Sequence, residues 1–132
     1  MEYQIGRVER FSKTLSESDV YMFAGITGDM NPIHINKESA RNSACGERIA
    51  HGILVAGFIS TVIGMKMPGP GTIYLEQNCK FLKPVKIGDT ITAAVEVIEI
   101  LNEQKKILKL RTEVENQEGE LVITGWAVVK AP

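Results

Sequence analysis

The sequence contains few cysteines, few histidines and no long uninterrupted apolar run, and each shortage excludes a class of protein. Cys45 and Cys79 are the only cysteines among 132 residues, and they form neither a disulfide framework nor a zinc-binding spacing. Two histidines are too few for the three or four converging ligands of a zinc site, so we expect no metal. The most apolar stretch, residues 53–67, is shorter than the roughly 20 apolar residues that span a bilayer, which predicts no membrane association.

The sequence also lacks a surplus of charge of either sign. Lysine and arginine together number 15 and the acidic residues 16, which gives a net charge of −1. Because binding to nucleic acid requires a clustered positive excess, we expect no nucleic-acid partner. The first residues, Met1 to Gln4, resemble neither a signal peptide nor a transit peptide. Together with the scarcity of cysteine, this start predicts a cytoplasmic protein.

What is present suffices for one compact domain, which we predict to span residues 1–132. Hydrophobic residues make up 44% of the chain, and a domain of this size buries roughly two-thirds of its unfolded surface. In the first half, Ser16 precedes Asp19 by the three residues of a capping box, which predicts a helix over 16–26. The last of three predicted helices begins near Gly52. It is apolar on nearly every side, so we expect it to be buried on most faces.

Between these two helices the chain is predicted to form shorter elements. Residues 33–35 are predicted to be extended, and Asn36 is predicted to cap a short helix over 37–42. After Gly52 and its helix the apolar period changes to two, which is typical of strands. Strands are predicted over four segments: 72–82, 91–97, 108–115 and 121–129. The predicted fold class is α+β, an antiparallel sheet with one central buried helix.

The segment from Phe23 to His34 places a carboxylate, an amide and an imidazole in one loop. Asp29, Asn31 and His34 supply these groups, and Gly28 and Pro32 constrain the backbone around them. A carboxylate and an imidazole can share one water, and either group can accept its proton. The same residues also suit a structural role, since Asp and Asn hydrogen-bond their own turns and histidines pack in cores.

A second candidate lies at His51 and Gly52, where the apolar helix is predicted to begin. The N-terminus of a helix leaves N–H groups without an intrahelical partner. The N–H of Gly52 would therefore be available to a carbonyl oxygen that gains negative charge during a reaction. The alternative is that Gly52 only permits a tight turn. We interpret His51 as structural and not catalytic.

Together these residues resemble the MaoC-like, (R)-specific enoyl-CoA hydratase family, also called hydratase 2. The family motif is matched by Gly28-Asp-Met-Asn-Pro-Ile-His34, with Phe23 and Ile26 before it and Ala40 after it. Three further segments are similar to family blocks, so the resemblance covers nearly the whole chain: His51–Leu54, Pro68–Tyr74 and Lys83–Asp89.

The resemblance implies a hot dog fold, in which an antiparallel sheet wraps around a central helix. It also implies a homodimer joined through the sheet edge. The implied enzyme is a hydro-lyase that reversibly adds water, in the syn sense, to trans-2-enoyl-CoA and gives (3R)-hydroxyacyl-CoA. An acyl-CoA is thus the expected substrate, and no cofactor is expected.

Carried over from the family, Asp29 is the main acid and base, and His34 holds and activates the water with it. Asn31 orients this pair or the water, and the N–H of Gly52 stabilises the thioester oxygen. Gly57 departs from members that have a serine there, so Ser60 or Thr61 replaces that hydroxyl or the support is absent. The CoA phosphates would require only a local basic rim, for which the candidates are Lys80, Lys83 and Lys86.

Two other functions fit the same residues. The first is a dehydratase acting on acyl-carrier-protein thioesters or branched hydroxyacyl-CoA, because one site runs the reaction in both directions. The second, of a different class, is a non-catalytic subunit that binds acyl thioesters. It would require Asp29 and His34 to point apart, whereas an enzyme requires them to converge on one water near Gly52.

Overall fold

The helices and strands begin where the sequence supplies a cap or changes its apolar period. The structure, a computed structural model, describes residues 3–132. In chain order its elements are β1 (Val8–Thr14), α1 (Glu17–Thr27), α2 (Pro32–Ile35), α3 (Lys37–Arg41), α4 (Gly52–Met65), β2 (Ile73–Phe81), β3 (Thr90–Asn102), β4 (Ile107–Glu115) and β5 (Leu121–Lys130).

Helix α1 forms as predicted, with both halves of its capping box in place. The Ser16 hydroxyl accepts a hydrogen bond from the Asp19 N–H at 3.1 Å, and the Asp19 carboxylate accepts one from the Ser16 N–H at 3.0 Å. The helix ends at Gly28, whose φ of 79° lies in the left-handed region that glycine adopts at little cost. The capping box fixes the start of α1, and Gly28 fixes its end and therefore the start of the following loop.

The prediction that residues 33–35 are extended is wrong, because they form the single-turn helix α2. The side chain of Asn31 accepts a hydrogen bond from the Ile33 N–H at 3.3 Å, and Pro32 occupies the first helical position. Three residues of alternating character look like a strand, but the cap and the proline favour a helical turn. The next short helix, α3, is capped by Asn36 as predicted.

Helix α4 begins at Gly52 as predicted, but in this chain it is buried on one face only. The buried residues are Val55, Ile59, Val62 and Ile63, and this face packs against β1, β3 and β4. On the other side, Ile53 is 65% exposed and Met65 is 70% exposed. A single sheet covers one side of a helix, so the apolar side chains on the far side of α4, such as Ile53 and Met65, are left exposed in the single chain.

All five strands join one antiparallel sheet in the order β1-β3-β4-β5-β2. β3 runs to Asn102, five residues beyond the predicted end at residue 97. Register shifts between Val97 and Glu99 and between Ile100 and Asn102 interrupt the alternation but preserve the pairing with β4. Strand β2 lies at one edge of the sheet. Within residues 3–132, no helix has the length and apolarity required to cross a membrane.

Candidate active site

The loop between α1 and α2 presents the carboxylate of Asp29. The N–H of Asp29 donates to the hydroxyl of Thr27 at 3.2 Å. Its side chain accepts a hydrogen bond from the N–H of Asn31 at 3.3 Å. The backbone of Asn31 therefore orients the carboxylate, whereas the Asn31 side chain caps α2. Asp29 itself is exposed in the single chain.

The imidazole of His34 is nearly buried, with 8% exposure, on the single turn of α2. Its Nδ1 lies 2.7 Å from the carbonyl oxygen of Ile49. Because a carbonyl oxygen can only accept, Nδ1 must carry the proton of this hydrogen bond. In the neutral ring, Nε2 is then the nitrogen that can accept a hydrogen bond from a water.

The structure brings Asp29 and His34 together, as the sequence predicts for an enzyme. A carboxylate oxygen of Asp29, a ring nitrogen of His34 and a ring nitrogen of His51 all lie within 4.8 Å of one another. Two polar atoms at this separation can both reach one water, since such hydrogen bonds are about 2.8 Å long. His51 is the member of this group that the sequence did not assign to the site.

These three side chains also bear on the expectation that the protein binds no metal. That expectation rested on having only two histidines, and the described residues supply a third donor through the Asp29 carboxylate. Three protein ligands are the minimum of catalytic zinc sites. Each histidine also has one ring nitrogen on a backbone carbonyl oxygen, which is how metal-bound histidines are commonly oriented. The expectation of no metal stays a prediction.

Gly52 occupies the first position of α4, where the N–H has no partner within the helix. His51 provides no side-chain cap, so this N–H remains available to a ligand oxygen. A Cβ at Gly52 would come within 2.8 Å of the Phe81 ring. A larger residue at this position would therefore require the Phe81 ring to shift.

Gly57 lies one turn further along α4 and contributes no contact to the site. A Cβ there would meet nothing within 4 Å in this chain. The hydroxyl of Thr61 donates to the Gly57 carbonyl oxygen at 3.5 Å, and Ser60 is exposed. In the single chain neither hydroxyl lies among the residues that line the cavity described next.

His34 and Gly52 line the same cavity, which has a volume of about 430 Å³. Its other lining residues are apolar apart from one lysine: Ile49, Ala50, Ile53, Val55, Phe81, Leu82, Lys83, Pro84, Val85 and Ile123. An imidazole and a free N–H thus face an apolar space. This arrangement suits a substrate whose reacting part is uncharged.

Of the three lysines predicted to form a basic rim, Lys83 alone lines this cavity. Its ammonium pairs with Glu120. Lys86 pairs with Glu47 at 3.2 Å, and the hydrogen bond with Glu47 raises the pKa of Lys86. Lys80 precedes the cavity residue Phe81 on β2, so by strand alternation it lies on the opposite face of the sheet. The predicted rim is therefore reduced to Lys83 in the single chain.

Comparison with known proteins gives a consistent result over nearly the whole chain. Residues 2–119 match the model of the MaoC like domain family. The (R)-specific enoyl-CoA hydratase of Rhodospirillum rubrum is 48% identical over 127 residues, which cover 96% of this chain and 87% of that protein. The 3-hydroxybutyryl-CoA dehydratase of Methylorubrum extorquens is 42% identical and is matched over 99% of this chain and 82% of its own length.

A solved structure shares the fold in detail. The (R)-hydratase of Aeromonas caviae involved in PHA biosynthesis superimposes with a TM-score of 0.94 at 41% identity, over 98% of each chain. Its helix and sheet are those of the hot dog fold predicted from the sequence. With this agreement in sequence and in fold, the chain belongs to the MaoC-like domain family.

Proposed function

We propose that this protein is an (R)-specific enoyl-CoA hydratase that reversibly adds water to trans-2-enoyl-CoA and gives (3R)-hydroxyacyl-CoA. The convergence of the Asp29 carboxylate and the His34 ring beside an apolar cavity carries the proposal. The relatives named as a hydratase and as a dehydratase support it, because the two names describe opposite directions of one equilibrium. The protein is thus a hydro-lyase.

Asp29 and His34 divide the activation of the water between them. His34, held by Ile49 through Nδ1–H, accepts a hydrogen bond from the water at Nε2. The Asp29 carboxylate takes one proton of the water while the hydroxyl oxygen forms its bond to C3. The resulting carboxylic acid then delivers that proton to C2. One carboxylate on one face of the double bond accounts for syn addition.

The N–H of Gly52 supports the step in which charge develops on the substrate. When the hydroxyl bonds to C3, the electron pair of the double bond moves onto the thioester oxygen as an enolate. A backbone N–H aimed at this oxygen stabilises the charge in the apolar cavity, where such a donor is worth more than in water. Protonation at C2 returns the electron pair and restores the thioester carbonyl.

The active form is proposed to be a homodimer in the cytoplasm, joined through the β2 edge. Strand β2 is paired with β5 on one side only, and Ile73, Leu75 and Phe81 on it are each more than half exposed. Exposed apolar patches of this kind mark interaction surfaces. The free cysteines, Cys45 and Cys79, suit a reducing compartment.

Hydration of crotonyl-CoA tests the function directly, through the loss of the absorbance of the enoyl thioester. We expect turnover and a product of R configuration by chiral analysis. Turnover of the acyl-carrier-protein thioester alone would make the protein a carrier-protein dehydratase. Tight binding of crotonyl-CoA without turnover would make it a non-catalytic acyl-thioester-binding subunit.

A further inference from the structure

His51 has no part in the chemistry described above, yet it contacts each of the groups that carry it. The side chain is 2% exposed. Its Nε2 lies 3.0 Å from the backbone carbonyl oxygen of Asp29. Its ring stacks on that of His34, with centroids 3.9 Å apart and planes at 28°. His51 also immediately precedes Gly52, the donor of the free N–H.

The hydrogen bond from His51 joins the Asp29 loop to the start of α4. Within residues 3–132, every other hydrogen bond of residues 28–31 is made inside the segment 24–34. Those local bonds shape the loop but do not fix its position relative to Gly52. The turn that follows the loop is tied to Ile49 by two hydrogen bonds. The contact between His51 and the Asp29 carbonyl oxygen is the long-range hydrogen bond that the loop residues 28–31 themselves make.

The hydrogen bonds also assign the tautomer of each histidine. The carbonyl oxygen of Asp29 can only accept, so Nε2 of His51 carries a proton. Nδ1 of His51 is buried without a hydrogen-bond partner, and a proton there would be a buried donor with no acceptor. His51 thus donates from Nε2, whereas His34 donates from Nδ1.

We infer that His51 is a positioning residue, which sets the distance between the Asp29 carboxylate and the N–H of Gly52. The inference rests on the proposed function, because these two groups act on opposite ends of the same enoyl thioester. Phe23 lies against the other side of the ring, with centroids 4.8 Å apart, so the imidazole is held between Phe23 and His34. A displaced loop would leave the substrate bound but the carboxylate misaligned with the water.

Two substitutions separate the hydrogen bond from the packing. His51→Gln places an amide donor near the position of Nε2, whereas His51→Phe retains the stacked ring and removes the donor. We expect His51→Phe to lower kcat by about 100-fold with KM changed less than about threefold, the effect of a misplacement of about 1 Å. His51→Gln should recover most of this loss. Val62→Ala, a buried change on α4 outside the cavity lining, controls for loss of stability alone.

The kinetic outcomes decide between positioning and packing. All assays are run well below the melting temperature of every variant, and Val62→Ala should lower Tm with kcat unchanged. Wild-type kcat in His51→Phe would overturn the inference. Equal losses in His51→Gln and His51→Phe would also overturn it, because the donor would then not be the feature that matters.

A second measurement does not depend on enzymatic activity. The chain has only two histidines, so imidazole nitrogen NMR spectra of the labelled protein contain two ring systems, which His51→Gln assigns. We expect the Nε2–H form for His51 and the Nδ1–H form for His34. An Nδ1–H form for His51 would refute the inference whatever the activity, whereas failure of the wild type to hydrate any enoyl thioester would refute the proposed function alone.

Discussion

Gly52 combines a backbone property with a steric one at the start of α4. Its N–H is free at the start of α4, and its missing side chain leaves room for the Phe81 ring. The free N–H follows from the first position of the helix, whereas the room for the ring follows from the missing Cβ. A methyl group at this position would therefore affect the cavity before it affects the helix.

We predict that Gly52→Ala lowers kcat/KM because the new Cβ, 2.8 Å from the Phe81 ring, displaces that ring, which lines the cavity. The loss should be about 10- to 100-fold, the range for moderate misplacement of a reacting group. The double variant Gly52→Ala with Phe81→Leu should recover part of it. Steady-state kinetics with crotonyl-CoA checks both, and no recovery in the double variant would show that the collision is not the cause.

At the scale of residues, most of the candidate site could be chosen from the sequence. Asp29, Asn31 and His34 lie within six positions, so their proximity follows from the loop itself. His51 is different, because its hydrogen-bond partner is the carbonyl of a residue 22 positions earlier. No local sequence pattern reveals that a side chain will contact a distant backbone oxygen. The only sequence feature that pointed to His51 was its position directly before Gly52.

At the scale of elements, the pairing of β2 with β5 depends on Gly125. This glycine lies opposite Cys79 in the sheet, and a Cβ there would come within 1.9 Å of the backbone oxygen of Asn78. A backbone atom inside a ladder cannot move aside as a flexible side chain can. The edge strand is thus held close to its neighbour by the absence of one side chain.

We predict that Gly125→Ala lowers the free energy of unfolding by about 3 kcal/mol or more, the upper range for overpacking. Gly25→Ala is the matched control, because it lies in α1 with nothing within 4 Å of its Cβ. It should stabilise the protein by up to about 1 kcal/mol. Chemical denaturation measures both, and equal stabilities for the two variants would contradict the account.

The elements were predictable where a cap or a period is strong. The capping box of α1, the Asn36 cap of α3 and the alternation of β4 all formed as expected. The prediction failed for α2, where three alternating residues were outweighed by the Asn31 cap. The predicted end of β3 was also too early, because bulges interrupt the alternation of apolar residues without ending the strand. Such features depend on pairing with other segments, which a local pattern does not contain.

At the scale of the whole molecule, the single chain leaves apolar side chains uncovered on several elements. They include the edge strand β2, the outer side of α4 with Ile53 and Met65, and α1, where Ile26 is 81% exposed. The expectation that α4 is buried on most faces failed because it assumed that one chain supplies all the cover. A second copy joined through β2 would extend the sheet and reduce this exposure.

We predict a dimer in solution, with twice the mass of the chain, by size-exclusion chromatography with light scattering. Leu75→Lys, which places a charge on the exposed side of β2, should shift the protein towards monomer. Ile5→Lys is the control, since Ile5 is 65% exposed just before β1 at the other edge of the sheet. A monomeric wild type, or a dimer lost equally in both variants, would contradict assembly through β2.

The most direct test of the whole account is the kcat/KM of Asp29→Asn for hydration of crotonyl-CoA beside that of the wild type. Asparagine keeps the shape of the loop but cannot take a proton from water, so we predict a fall of at least about 100-fold. Glu118→Gln, an exposed change in the turn before β5, should leave the rate unchanged. A folded Asp29→Asn protein with the wild-type rate would contradict the proposal that this carboxylate moves the proton.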